Sequence, residues 1–92
     1  MIRLVIYDLK GDAAREKEER LHEVIKNHHW CRVARSAYVL KTSATPKELY
    51  EKLKLLVEPE DILLVFSINE PWSGQRAEHV LYCLELMFSG KL

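Results

Sequence analysis

The sequence predicts an α+β protein with the ferredoxin-like βαββαβ arrangement, a sandwich of sheet and helices followed by an extra C-terminal helix. Two strongly apolar runs, Met1–Leu9 and Asp61–Asn69, predict strands, and the segment Thr45–Glu48 carries every local signal for a helix start. The predicted elements follow one another in the order β-α-β-β-α-β-α. Helices therefore follow the first and third strands as crossover connections, which is typical of this fold.

Length and composition predict a single ferredoxin-like domain over residues 1–92. Apolar residues make up 48% of the chain, which is too many for a disordered protein. The 14 basic and 14 acidic residues cancel. This balance argues against a surface built throughout to hold nucleic acid, but it leaves room for a local basic patch.

The sequence predicts a protein that is neither exported nor inserted into a membrane. No basic region followed by a long apolar segment opens the sequence, and no apolar run approaches the ~18 residues that a membrane span requires. Cys31 and Cys83 are far apart in the sequence. We therefore expect two reduced thiols in or near the core of a cytoplasmic protein that does not contact membranes.

The first strand ends at Asp8, which is the leading candidate for a functional residue. Apolar side chains fill both parities of Met1–Tyr7, so this strand is expected to be central and buried on both faces. A carboxylate at the exit of a central strand presents its chemistry to solvent from a fixed position. The alternative is that Asp8 only caps the turn that follows.

A helix and a pair of apolar segments follow the first strand. A helix from an N-cap at Asp12 to about Asn27 carries an apolar stripe and a charged, solvated face. The segments Trp30–Ala34 and Ser36–Lys41 predict either two strands joined by a tight turn or one bent strand with a bulge.

The second half holds the most strongly signalled helix. Thr45 is its expected N-cap, Pro46 takes the first helical position and Glu48 completes a capping box. The run Asp61–Asn69 is expected to be buried on both faces for most of its length, and a last helix is expected over Arg76–Phe88.

The expected sheet is antiparallel with strand order 4-1-3-2, so the first and third strands are central. The last strand is unusually apolar for a strand at an edge of the sheet. Because an exposed apolar edge promotes aggregation, the final helix or a second chain is expected to cover it. This argument predicts a homodimer.

Several motifs resemble the small CRISPR-associated "protein two" family. The strand end Val5–Leu9 is similar to the family's Tyr-Asp motif. The stretch Arg32–Tyr38 is similar to its Arg-Val-Gln-x-Ser-Val-Phe pattern, with Ala34 in the place of Gln. The second half resembles the related SinR-like and VapD-like proteins through Asp61–Val65 and Pro71–Gly74.

The resemblance implies a ferredoxin-like homodimer in which two Asp8 side chains face each other across the twofold axis. It also implies a Mg²⁺-dependent endonuclease, an endoribonuclease in particular, with Asp8 as both the catalytic and the metal-binding residue. This assignment is chemically reasonable because Mg²⁺ uses few protein carboxylates, keeps several waters and binds the substrate phosphate directly.

Four further residues are candidates for contact with RNA or DNA. Arg32 and Arg35 are expected to meet phosphate, and Ser36 lies in the same motif. Trp72 either stacks on a base or packs against the sheet or an interface.

The sequence leaves other functions open. A non-catalytic dimerisation, adaptor or scaffold module would instead bind a protein partner, such as an integrase or an antitoxin, and a small regulatory domain would hold a ligand at the dimer seam. His28, His29 and Cys31 suggest zinc, but no fourth ligand lies near them in the sequence. The imidazoles are also favourable near a helix C-terminus without any metal, so their role stays open.

Overall fold

The structure is a computed structural model that describes residues 1–90. Within them lie four strands and three α-helices, in the order β1 (Ile2–Asp8), α1 (Ala14–Ile25), β2 (His29–Ala34), β3 (Ala37–Lys41), α2 (Pro46–Leu53), β4 (Ile62–Ile68) and α3 (Glu78–Phe88). A single 3₁₀ turn, Lys54–Leu56, extends α2. Every predicted element is present in the predicted order, so the α+β assignment is confirmed.

The four strands form one antiparallel sheet with the order β2-β3-β1-β4. This is the predicted 4-1-3-2 order, with β1 and β3 in the middle, and it confirms the ferredoxin-like topology. β1 pairs with β4 along its whole length, from Ile2 opposite Ile68 to Asp8 opposite Ile62.

The tight turn and the bulge, which were predicted as alternatives for β2 and β3, occur together. The two strands form a hairpin across the turn at Arg35 and Ser36, and the pairing register shifts between Arg32 and Ala34. The turn and the bulge leave the guanidinium of Arg32 within hydrogen-bonding distance of the Arg35 carbonyl oxygen.

Helices cover both faces of the sheet. On the face that we call the α1/α2 face, helices α1 and α2 enclose a core of Val5, Tyr7, Leu21, Ile25, Tyr38, Leu40, Leu49 and Leu53. On the opposite face, the α3 face, helix α3 encloses a second core of Ile2, Cys31, Val39, Val80, Leu84 and Met87. The two cores are separate because successive side chains of a strand point to opposite faces.

The start of α1 differs from the expectation. The N-cap is Ala13 and not Asp12, and no side chain caps this end of the helix. Gly11 has φ +82°, a left-handed conformation that suits glycine, and its carbonyl accepts a hydrogen bond from the Ala14 amide. The chain therefore turns one residue later than the Asp12 signal indicates.

The start of α2 matches the expectation in full. The Thr45 hydroxyl accepts a hydrogen bond from the Glu48 amide at 3.1 Å, and the Glu48 carboxylate accepts one from the Thr45 amide at 2.9 Å. Pro46 occupies the first turn, where its missing N–H costs nothing. These bonds hold the pKa of Glu48 below its ordinary value, the Thr45 backbone amide contributing most.

Replacing Thr45 by Ala is expected to lower the free energy of unfolding by about 0.5–2 kcal/mol, since the Glu48 amide loses the hydroxyl that accepts its hydrogen bond. Urea unfolding followed by circular dichroism measures the change. Lys47→Ala, at an exposed position of the same turn, is the matched control and is expected to change little. Equal losses in the two variants would contradict the capping role.

The prediction that β4 is buried on both faces is wrong. Ile62, Leu64 and Phe66 are 46%, 48% and 45% exposed. They are paired with Asp8, Ile6 and Leu4 of β1 and therefore lie on the α3 face. Helix α3 lies over β2, and its core reaches β1 and β4 only around Ile2, Leu4 and Ile68, so the exposed row of β4 faces solvent.

The prediction of two reduced thiols is also wrong. Cys31 of β2 and Cys83 of α3 form a disulfide, with their Cα atoms 6.1 Å apart. Their separation of 52 residues concealed the pairing, because only the fold brings α3 back across β2. None of the helices in residues 1–90 is long and apolar enough to span a bilayer.

Candidate active site at the end of the first strand

Asp8 lies at the exit of the central strand β1 with 57% of its side chain exposed. Its Oδ2 atom is 2.7 Å from the Nζ atom of Lys10, in an ion pair whose lysine is half exposed as well. The residue borders a surface cleft of about 170 Å³ that is lined by Tyr7, Asp8, Leu9, Ala14, Arg15, Glu18 and Ser36. Asp8 is thus held by the sheet and open to solvent at once.

A buried ion pair fixes the loop that follows Asp8. The Nζ atom of Lys17 in α1 is 2.7 Å from Oδ2 of Asp61 and donates a second bond, of 2.9 Å, to the Lys10 carbonyl. Asp61 also accepts bonds of 2.7 Å from the amides of Lys10 and Glu58. Three segments of the chain therefore meet at one carboxylate: the loop at Lys10, helix α1 and the turn 58–61.

The hydrogen bond from the Lys17 ammonium, followed by those from the two amides, lowers the pKa of Asp61 to about 2. The side chains of both partners are almost fully enclosed. This pair was not predicted, because the charged residues of α1, Lys17 among them, are expected to lie on its solvated face. The one available signal was its position in register with Leu21 and Ile25, four and eight residues further on.

A second polar network lies under the cleft on the α1/α2 face. The Tyr7 hydroxyl donates a hydrogen bond of 3.0 Å to the Glu18 carboxylate, which also lies 3.9 Å from the guanidinium of Arg32. The Nε2 atom of His22 is 2.8 Å from the Tyr38 hydroxyl and 3.0 Å from that of Tyr7. This network joins α1 to β1, β2 and β3 beneath the floor of the site.

Burial sets the protonation states in this network. It raises the pKa of the Tyr7 hydroxyl, and the Glu18 carboxylate raises it further. Burial also raises the pKa of Tyr38 and lowers the pKa of His22 below its ordinary 6.5. The two tyrosines therefore keep their protons, and a neutral His22 can accept the bond from the Tyr38 hydroxyl.

Lowering the pH from about 7.5 to about 5.5 is expected to lower the free energy of unfolding. The folded protein lowers the pKa of His22 and, through burial and then the charge of Lys52, that of His28. The unfolded chain therefore binds protons more readily than the folded protein. The contribution of these two histidines to the free energy of unfolding is complete above about pH 6.5 and is lost as the pH falls below that value. Each histidine contributes at most about 1.4 kcal/mol per pH unit.

Urea titrations at the two pH values measure this dependence. In His22→Gln the amide oxygen can still accept the Tyr38 hydrogen bond. On acidification, the free energy of unfolding of this variant should fall by less than that of the unchanged protein. His79→Gln, at an exposed position of α3, is the control and should keep the full loss. An unaltered pH dependence in His22→Gln would contradict the assignment.

The structure brings one of the four predicted nucleic-acid contacts to Asp8. Ser36 lines the same cleft, and its carbonyl accepts a hydrogen bond from the Tyr7 amide at 3.0 Å. Arg35 sits in the neighbouring turn and is exposed. Arg32 is engaged by Glu18 and by the face of the Tyr38 ring, 5.5 Å from its centroid.

Trp72 lies away from this cleft. Its ring is 6.1 Å from that of Phe88, and it packs beside the core of the α3 face. Arg15, which the sequence analysis did not single out, does line the cleft and extends into solvent with 92% of its side chain exposed. The cations nearest to Asp8 thus come from the β1–α1 loop and the first turn of α1.

No group of three His, Cys, Asp or Glu side chains in residues 1–90 is arranged to hold a metal ion. His28 and His29 line a surface cavity of about 370 Å³ together with His79 and Cys83 of α3. With both sulfurs engaged in the disulfide, the cavity offers no thiolate ligand. Asp8 likewise contributes a single carboxylate in one chain.

These features define a class of protein: a small ferredoxin-like chain with a solvent-facing carboxylate where a central strand ends. The family model described as "CRISPR associated protein Cas2" matches residues 1–76. The chain therefore belongs to the CRISPR associated protein Cas2 family, and the predicted resemblance to a CRISPR-associated family is confirmed. Helix α3 lies beyond the matched residues.

One solved structure supports the same fold. The crystal structure of Streptococcus pyogenes Cas2 at pH 6.5 is similar with a TM-score of 0.61 and 22% sequence identity, over 78% of this chain and 90% of that chain. Among curated proteins, no sequence is significantly similar to the chain. The further resemblance of the second half to SinR-like and VapD-like proteins stays a prediction.

Proposed function

We propose that the chain is a cytoplasmic homodimer that cleaves RNA or DNA internally in a Mg²⁺-dependent reaction centred on Asp8. The position of Asp8 carries the proposal: the residue ends a central strand, is exposed and borders a cleft. Membership of a CRISPR-associated family adds support for a role with nucleic acid.

The open apolar patch supports the dimer. This patch consists of Ile62, Leu64 and Phe66 of β4, together with the partly exposed Leu4 and Ile6 of β1. A soluble chain gains stability by covering such a surface, and an edge strand is especially prone to pair with another chain. A second copy seated there around a twofold axis would bury the patch and bring two Asp8 side chains towards each other, since Asp8 lies opposite Ile62.

Asp8 suits a Mg²⁺ site only with a second copy present. Mg²⁺ commonly takes one or two carboxylates, several waters and the substrate phosphate, and the two Asp8 residues of a dimer would supply such a pair. When bound there, the ion would polarise the phosphate and favour ionisation of a water molecule.

Other residues at the cleft are suited to binding phosphate. Lys10 holds Asp8 in an exposed ion pair, which opens at little cost and would release an ammonium group for the substrate. Arg15 and Ser36 line the same cleft and can donate hydrogen bonds to phosphate oxygens. The buried Lys17–Asp61 pair would keep the Lys10 main chain in place during this exchange.

A cleavage assay on the purified chain tests the catalytic part of the proposal. Single-stranded RNA and duplex DNA of defined length are incubated with the protein in Mg²⁺, in Mn²⁺ and in a chelator. Internal cleavage that requires the metal is expected for one of the substrates. Absence of cleavage of both substrates in both metals would overturn the nuclease proposal.

Light scattering tests the dimer separately. Leu64→Asp places a charge in the middle of the patch and is expected to give a monomer at high micromolar concentration, where the unchanged chain is a dimer. Leu55→Asp is the matched control, because Leu55 is 79% exposed outside the patch and its substitution should leave the dimer intact. A monomeric unchanged chain would overturn the dimer proposal.

A second candidate function, a non-catalytic dimeric adaptor that binds a protein partner such as an integrase or an antitoxin, is favoured by one observation. The Lys10 ammonium already neutralises the Asp8 carboxylate at 2.7 Å, and Arg32 is occupied by Glu18. In such an adaptor these pairs would be permanent surface structure. Intact substrates in the assay above, together with a dimer in solution, would support this candidate.

A further inference from the structure

The Cys31–Cys83 disulfide cross-links strand β2 of the sheet to helix α3. Between β4 and α3 the chain forms neither strand nor helix over residues 69–77. Apart from the disulfide, α3 is held by the packing of three buried side chains, Val80, Leu84 and Met87, with partly buried neighbours. The attachment of this helix therefore depends on one bond and one small core.

The two sulfurs differ in access. Cys31 is 3% exposed and belongs to the core of the α3 face. Cys83 is partly exposed and lines a surface cavity of about 370 Å³ that Cys31 does not reach, whereas both cysteines line a second cavity of about 490 Å³. The greater exposure of Cys83 therefore favours attack by a solvent thiol at its sulfur over attack at that of Cys31.

We propose that this disulfide is a thiol-exchange site, which a dithiol reductant opens by attack at Cys83, and that its opening releases α3 from the sheet. In the first step the reductant's thiolate bonds to the Cys83 sulfur while the bond to Cys31 breaks, and Cys31 leaves as a thiolate. In the second step the reductant's other thiol displaces Cys83 and closes the reductant's own disulfide. Two electrons pass to the protein, and both new thiolates take up protons.

Loss of the disulfide allows α3 to leave the sheet. In the oxidised chain the helix cannot leave, because the Cα atoms of Cys31 and Cys83 are held 6.1 Å apart. In the reduced chain only the apolar contacts of α3 oppose its departure, so a state with the helix undocked becomes accessible. Disulfides in cytoplasmic proteins are usually transient or redox-sensing, which agrees with a bond that exchanges.

The consequence for assembly rests on the proposed dimer. Helix α3 covers Ile2 and Val39 on the same face that carries the open apolar patch. Undocking would join the covered and the open parts of this face into one larger surface. A second copy would then bury more apolar area, so reduction should strengthen dimerisation.

Hydrogen–deuterium exchange on the full chain, before and after dithiothreitol, tests the exchange site. Amides of α3 are expected to exchange at least about tenfold faster after reduction, while those of α1 on the opposite face stay unchanged. In the double variant Cys31→Ser, Cys83→Ser, the α3 amides should exchange as fast as in the reduced chain, and dithiothreitol should not change their rate. Equal protection of α3 in the oxidised chain, the reduced chain and the variant would overturn the proposal.

Sedimentation velocity on the same samples separates this inference from the proposed function. A dissociation constant roughly tenfold smaller after reduction is expected. A dimer with the same dissociation constant in both states would overturn the link between α3 and assembly. A monomer in both states would overturn the proposed dimer, and the exchange data on α3 would still decide the thiol-exchange site.

Discussion

Replacing Asp8 by Asn should lower the rate of nucleic-acid cleavage by at least about 100-fold. Asn keeps the shape of the side chain and its place at the end of β1, but it removes the charge that a divalent cation requires. Because β1 is central and fixed on both sides by β3 and β4, the substitution should not disturb the fold. The measurement is the initial rate on the substrate that the unchanged chain cleaves, at saturating Mg²⁺.

Lys10→Met is a second test of the same site, measured at saturating substrate. It removes the ammonium group that competes for the Asp8 carboxylate but keeps the main chain that binds Asp61 and Lys17. The variant should need less Mg²⁺ for half-maximal activity than the unchanged chain, provided that Asp8 binds the ion. Full activity in Asp8→Asn would remove Asp8 from the site.

The fold could be predicted from the sequence because its signals are local. The capping box at Thr45 and Glu48 determines where α2 begins, and the apolar run of β1 marks a central strand, although its Leu4 and Ile6 are only partly buried. The order of strands then follows from the order of elements. The exposure of β4 could not be predicted, since an edge strand that a helix covers on one face only carries the same apolar residues as a strand that is covered on both.

The site could be predicted only in part. Asp8 was identified because a strand end is visible in the sequence, and Ser36 because it lies in a short motif. The pairing of Lys17 with Asp61, 44 residues apart, and the disulfide depend on how distant segments meet. No local pattern encodes such contacts.

Replacing Lys17 by Met should lower the midpoint of thermal unfolding by on the order of 10 °C. The change leaves the enclosed carboxylate of Asp61 without its cation, and the Lys10 carbonyl loses its donor as well. The long apolar stem of Met fills the space of the lysine chain, so the effect reports the lost charge and not a cavity. Circular dichroism at about pH 7 measures the shift.

Acid should remove the same stabilisation in the unchanged chain. Folding lowers the pKa of Asp61 from 3.8 to about 2, so its contribution is complete above about pH 4 and is lost as the pH falls towards 2. Lys17→Met should therefore lose less stability over this range.

Adding Asp61→Asn to Lys17→Met should recover part of the midpoint of thermal unfolding, because an amide needs no cation and can still accept a bond from the Lys10 or Glu58 amide. Lys10→Met, which breaks only the exposed pair with Asp8, should leave the midpoint nearly unchanged. If Lys17→Met is no less stable than Lys10→Met, the Lys17–Asp61 pair does not hold the loop behind Asp8.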